Sequence, residues 1–192
     1  MPEQLVFDGF GKAPREPSDP VFFALLPDAP AQVKIDTIGQ ALSREHGLRG
    51  RRTALDRLHV SLCGVRHPRD RTRELVPVAD GIVADLVIGE FDAMFDRALS
   101  FKNRSGNYPL VLTGGTGQIL GLYRALVGRL ARAVGGNEHA RIEPHVTMLY
   151  DPTMIMVQPV EPVRWTVREL VLIHSLRGET KHVILGRWPL EG

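Results

Sequence analysis

Two short stretches place a histidine and a hydroxyl residue two positions apart: Leu58–Leu62 reads LHVSL and Pro144–Tyr150 reads PHVTMLY. Each is flanked by β-branched and aliphatic residues, so each reads as a half-buried strand with a side-chain period of two. That period sets His59 and Ser61 on one face against Val60 and Leu62, and His145 and Thr147 against Val146 and Met148. One such match is close to chance, and a histidine on a strand is usually just a satisfied polar residue. Two copies in mirrored context can line a cleft from both sides. The immediate motifs hold no Asp or Glu, whereas zinc sites usually need three or four ligands, so no metal is expected. Nothing marks a third orienting carboxylate or a nucleophile elbow for Ser61. Acid–base chemistry needs less. A neutral imidazole takes a proton from water and a protonated one gives a proton to a leaving oxygen, both near pH 7 because the unperturbed pKa is about 6.5. The two hydroxyls can donate to non-bridging oxygens as charge builds on them. Such a set suits a phosphodiester better than an acyl centre, and a strained cyclic phosphate best.

The elements around the motifs repeat. A strand is predicted over 21–26, then a helix from about Ala31 with Ile35, Ile38 and Leu42 on its apolar face and Gly47 as its stop. A basic loop leads to the His59 strand, which Gly64 and Pro68 end. A short helix over 71–82, weakened by Pro77, and strands within 86–101 and over 108–113 follow. The clearest helix begins at the turn Gly114–Gly117 and carries Leu122, Tyr123, Leu126, Val127, Leu130 and Val134 as a stripe. After the His145 strand come a proline-bounded loop through Pro162 and two closing strands, 167–176 and 182–189. Strand, helix, His strand thus occurs twice. The GGTG turn resembles a phosphate-cradling loop at a helix start, without the spacing and lysine of a P-loop.

With 192 residues and four prolines in its first twenty, the chain reads as an irregular arm over 1–20 followed by one bilobal domain over 21–192. It is 43% hydrophobic and 24% charged with a net charge of +2, an ordinary globule rather than a nucleic-acid coat. No apolar run approaches a membrane span and no secretory signal opens the chain, so a cytoplasmic protein is expected. The single cysteine, Cys63, excludes an internal disulfide and a thiolate metal cluster. By parity it shares the His59 face, although a small buried thiol at a strand end is its plainer reading. Arginines crowd 44–73, Arg49, Arg51, Arg52, Arg66 and Arg69 among them. That run is either a solvated loop or a track that draws a phosphate-bearing ligand towards His59.

Together, FFALLPD at Phe22–Asp28, LHVSL, PHVTMLYD at Pro144–Asp151 and the closing pair ELVLIHS and HVILGRWPL resemble the two-histidine (2H) phosphoesterase superfamily. Within it the chain is similar to the 2′-5′ RNA ligase or RNA 2′,3′-cyclic phosphodiesterase group, from about Val21 to the end. The resemblance implies an α+β fold of two pseudo-symmetric lobes of antiparallel sheet, with outer helices around a central groove. It implies cofactor-free opening of 2′,3′-cyclic phosphate ends of RNA to 2′-phosphate, with reversible 2′-5′ joining in some members. His59 would be the general acid and His145 the general base, with Ser61 and Thr147 holding the phosphate. Tyr150, His182, Arg177 and Arg57 are the candidate substrate contacts around them. Ser61 stands where threonine is commoner in the family, and His182 where an aromatic such as tyrosine is often found. The expected partner is an RNA 2′,3′-cyclic phosphate end or a nucleotide cyclic phosphate, with the protein a monomer. A small cyclic nucleotide or ADP-ribose cyclic phosphate, or binding of RNA ends without turnover, are the alternatives.

Overall fold

The computed structural model describes residues 19–65, 72, 74–84, 86–115, 117–134 and 142–191. The arm expected over 1–20 lies outside these apart from Asp19 and Pro20, as do Arg66, Arg69, Arg71 and Arg73 of the basic run.

Strand β1 (Val21–Leu25) leads into α1 (Ala29–His46) and then β2 (Val60–Val65). Helix α1 is capped at both ends as its sequence demands. Asp28 accepts from the Ala31 amide at 2.9 Å, and Gly47 closes the helix at φ 65. The second unit is β4 (Tyr108–Gly114), α3 (Gly117–Val134) and β5 (His145–Asp151). Helix α2 (Leu75–Val83), β3 (Phe91–Ser100), β6 (Gln158–Val167), β7 (Glu169–Leu176) and β8 (Lys181–Pro189) complete the described α-helices and strands. The predicted strand within 86–101 is β3, with 86–90 irregular. Pro77 is tolerated because it sits in the first turn of α2, where its missing N–H has no intrahelical partner to lose.

All eight strands form one antiparallel sheet in the order β6-β3-β4-β5-β2-β1-β7-β8. Its two halves mirror each other across the seam between β5 and β2, where Val60 pairs with Val146. The two His strands therefore lie at the centre. Helix α1 packs on β5 and β6 and α3 packs on β2, so the helix of each unit covers strands of the opposite half. Ile35 and Leu42 of α1 and Leu122 and Leu126 of α3 join Phe23, Val60, Leu62, Val146 and Met148 in one core on that face. The other face carries a small apolar floor of Ala24, Val171 and Ile173 with Phe22 and Leu26. One proline-bounded expectation changes. The last part of the loop predicted through Pro162, residues 158–162, is strand, because β6 is a sheet edge and an edge tolerates Pro159 and Pro162.

Each His strand bulges just after its motif. Ser61 and Gly64 of β2 face Ala24 and Phe22 of β1, so Leu62 and Cys63 together oppose Phe23. Thr147 and Leu149 of β5 face Val111 and Leu110 of β4, which leaves Met148 as the extra residue. A bulge resets the alternation. Cys63 consequently packs against the main core instead of sharing the His59 face. Burial pushes its thiol up to about 12, which leaves no thiolate to act as a nucleophile. In β5, Leu149 is buried and Tyr150 emerges exposed.

Asp151 ends β5 and fastens the basic segment beside it. Its carboxylate accepts from the amides of Arg49, Gly50 and Thr153, each at 2.7 Å. Burial alone would raise its pKa, and these N–H groups outweigh that and lower it. The Thr53 amide donates to the Met148 carbonyl at 2.7 Å, and Arg52 bridges Leu149. Gly50 approaches so closely that a Cβ there would meet the Tyr150 carbonyl oxygen at 1.8 Å. Asp151→Ala strips three amides of their buried acceptor, so a loss of about 3 kcal/mol is expected in urea unfolding. A loss under about 1 kcal/mol would show that the segment is not held there.

Candidate active site

His59 immediately precedes β2 and His145 opens β5, and the two are held alike. Each donates its Nδ1–H to the carbonyl two residues earlier, His59 to Arg57 and His145 to Glu143, both at 2.7 Å. That bond fixes the tautomer and turns Nε2 of each ring away from the backbone. Ser61 Oγ–H donates to His59 Nε2 at 3.0 Å, whereas the Thr147 hydroxyl has no hydrogen bond among the described residues. Each ring also rests edge-on or tilted against a phenylalanine. Phe22 lies 5.2 Å from His59, and Phe101 lies 4.9 Å from His145.

The residues two positions before the histidines have opposite charges, Arg57 and Glu143. Burial lowers the pKa of His59, the bond to the Arg57 carbonyl partly restores it, and the charges of His145 and Arg57 lower it further. Burial also lowers His145, but both the carbonyl and the carboxylate of Glu143 raise it. Glu143 is itself steadied by Thr113 Oγ1, which donates to it at 2.7 Å and sits opposite His145 in β4. Glu143 thus favours the protonated form of His145, and Arg57 the neutral form of His59.

Of the four flanking candidates, His182 and Arg57 join the pair. His182 lies opposite Ser175 at the start of β8, with its ring 5.0 Å from His59 in an edge-to-face contact. Burial, then the charges of His59 and Arg57, bring its pKa down to about 4, against a smaller raising by Asp56. The Arg57 Nε is buried without a hydrogen-bond partner. Tyr150 is 47% exposed past the bulge of β5, and no ring contact joins it to the histidines among the described residues. Nothing is described of the Arg177 side chain.

Among the described residues the arginines of the run divide between surfaces, with Arg57 beside His59. Arg52 pairs with Asp36 of α1, and with Arg44 and Arg49 it lines a hollow of about 270 Å³ against that helix. Gly114 and Gly115, where the GGTG stretch begins, are held by close packing. A Cβ on Gly114 would meet the Met94 carbonyl at 2.9 Å, and one on Gly115 would meet Pro144 at 3.2 Å. Among the described residues no group of three His, Cys, Asp or Glu is placed to hold a metal ion, and no helix is long and apolar enough to cross a membrane.

Three histidines with depressed pKa values make stability depend on pH. Between each folded value and the ordinary 6.5, the unfolded chain binds the more protons, so stability rises with pH there. The contribution is full above 6.5 and is lost as pH falls through the folded values, to about 4 for His182. Thermal unfolding is expected at progressively lower temperature from pH 7 to pH 4, and less steeply in His182→Phe, which keeps a ring at that place. A melting temperature that stays level from pH 7 to pH 4.5 would contradict the burial of these rings.

Comparison with known proteins gives fold and little sequence. No protein-family model matches the chain, and no curated protein does either. Solved structures do. A crystal structure described as a phosphoesterase is 22% identical, with 91% of this chain and 99% of that one covered at a TM-score of 0.69. TT0787 of Thermus thermophilus is 17% identical, covering 90% and 98% at a TM-score of 0.71. E. coli LigT complexed with 3′-AMP is 23% identical, covering 91% and 99% at a TM-score of 0.70. The α+β architecture of this chain is the one these structures have, and it spans nearly their whole length.

Proposed function

We propose that the chain is a metal-independent two-histidine phosphodiesterase that opens 2′,3′-cyclic phosphate ends of RNA to 2′-phosphate. The observation that carries this reading is the symmetry of the pair. Both imidazoles have Nδ1 tied to the backbone and Nε2 left for chemistry, at the seam of a duplicated sheet. The likeness to LigT, whose structure holds 3′-AMP, favours a nucleotide end as ligand.

In the reaction, Nε2 of one histidine takes a proton from water as its oxygen attacks phosphorus. The bond from phosphorus to O3′ breaks, and the Nε2–H of the other gives O3′ its proton, leaving a 2′-phosphate and a 3′-hydroxyl. The family resemblance assigns the acid to His59. The flanking charges argue for the opposite order, because Glu143 favours the protonated form of His145 and Arg57 the neutral form of His59. We take His145 as acid and His59 as base. Thr147 and Ser61 donate to the non-bridging oxygens. The positive charge of Arg57, beside both His59 and His182, favours an anion at this place.

The test is incubation with an RNA oligomer ending in a 2′,3′-cyclic phosphate, in EDTA, with the product's phosphate position assigned. A 2′-phosphate formed at the same rate with and without EDTA is expected. Activity lost to chelation and restored by zinc or manganese would place the chain in another class, and binding without turnover would make it an RNA-end binding module.

A further inference from the structure

The face that carries His145 and Thr147 continues to Tyr150, because the bulge turns both Met148 and Leu149 into the core. Segment 50–53 runs antiparallel beside this end of β5, with Arg52 opposite Leu149. That register sets Arg51 opposite Tyr150. Directly opposed residues point to the same side of a sheet. Leu149 is buried, and Arg52 beside it reaches Asp36 on the helix side. Arg51 and Tyr150 therefore share the opposite side, that of the catalytic pair. Both are exposed, and Arg51 has no ion pair or hydrogen bond among the described residues.

We infer that Arg51 and Tyr150 form a subsite for the nucleotide that precedes the cyclic phosphate, so that the substrate is an RNA end of at least two nucleotides. This rests on the proposed function and names its substrate class. Tyr150 lies three residues past Thr147, about 7–10 Å along the strand at roughly 3.3 Å per residue, within reach of an adjoining nucleotide. An exposed ring is a sequence-tolerant stacking platform for a base, and a guanidinium beside it neutralises the phosphate on that base's sugar. The place is also rigid. Asp151 holds the amides of Arg49 and Gly50, and the close approach of Gly50 to the Tyr150 carbonyl fixes the spacing of the two strands. Arg44, Arg49 and Arg52 border the hollow against α1 and take no part.

The experiment compares a mononucleotide 2′,3′-cyclic phosphate with a trinucleotide ending in the same group, in wild type, Tyr150→Ala and Arg51→Gln. In Tyr150→Ala the trinucleotide-to-mononucleotide ratio of kcat/KM is expected to fall by about 5-fold to 100-fold, the range that loss of one stacked base gives. Arg51→Gln should flatten the dependence of log kcat/KM for the trinucleotide on log salt by about 0.7, one phosphate contact on a single strand. An unchanged ratio and slope would overturn the subsite while leaving the phosphodiesterase reading intact, as would equal losses on both substrates. If wild type opens neither substrate, the phosphodiesterase reading fails on its own. The subsite is then decided by fluorescence anisotropy of a labelled trinucleotide 3′-phosphate. Binding weakened at least 5-fold by Tyr150→Ala upholds it, and equal binding overturns it.

Discussion

His59→Ala and His145→Ala are each expected to lower turnover of a 2′,3′-cyclic phosphate by roughly 10²-fold to 10⁴-fold, the range for a positioned acid or base. The double variant should be little worse than either single one, since each histidine works only in concert with the other. Their roles separate with a diester carrying an aryl leaving group, which departs without protonation. On it His145→Ala should recover to within about 10-fold of wild type while His59→Ala stays depressed, if His145 is the acid. Recovery in His59→Ala instead would restore the opposite order. With both pKa values lowered by burial, the bell-shaped profile of kcat/KM should centre below about 6.5. Near-wild-type turnover in either single variant, with circular dichroism unchanged, would remove the mechanism.

The pair could be found from sequence because a period of two projects directly onto a sheet, and because the motif occurs twice after a helix. Parity reasoning holds through Leu62 and Met148 and fails at the next residue, Cys63 in one strand and Leu149 in the other. The bulges carry no obvious sequence signal, yet they move Cys63 into the core and bring Tyr150 to the site face. The aromatic backing was also hidden. Phe22 and Phe101 reach the histidines from β1 and from the residue after β3, contacts that depend on strand order. Two further features stand in the sequence but lie outside what periodicity reports. Arg57 and Glu143 each stand two residues before a histidine with opposite charge. Gly50 precedes the arginines that flank β5, and its role shows only when the Tyr150 carbonyl is seen against it. Whether neighbouring arginines share a surface is not legible either, because charge counts along a chain do not record faces. Antiparallel pairing sends Arg51 and Arg52 to opposite sides.

Thr147→Val is expected to lower kcat by about 10²-fold to 10³-fold, the cost of removing one preorganised donor to developing negative charge. The substitution keeps the side chain's shape, so the strand and its bulge should stand. Thr147 is the stronger candidate of the two hydroxyls because its oxygen is not committed, whereas Ser61 already donates to His59 Nε2 at 3.0 Å. Ser61 can serve the phosphate only by releasing that bond, so part of what it gains there is lost at the imidazole. Ser61→Ala should accordingly cost less than Thr147→Val, and should shift the pH dependence assigned to His59, which Thr147→Val should not. Ser61→Thr keeps the donor and should stay active. Steady-state kinetics with a cyclic phosphate across pH 5–8 reads all three variants. A Thr147→Val protein within about 3-fold of wild type would mean that the second hydroxyl faces solvent instead of the phosphate, and the symmetry of the two motifs would then end at their histidines.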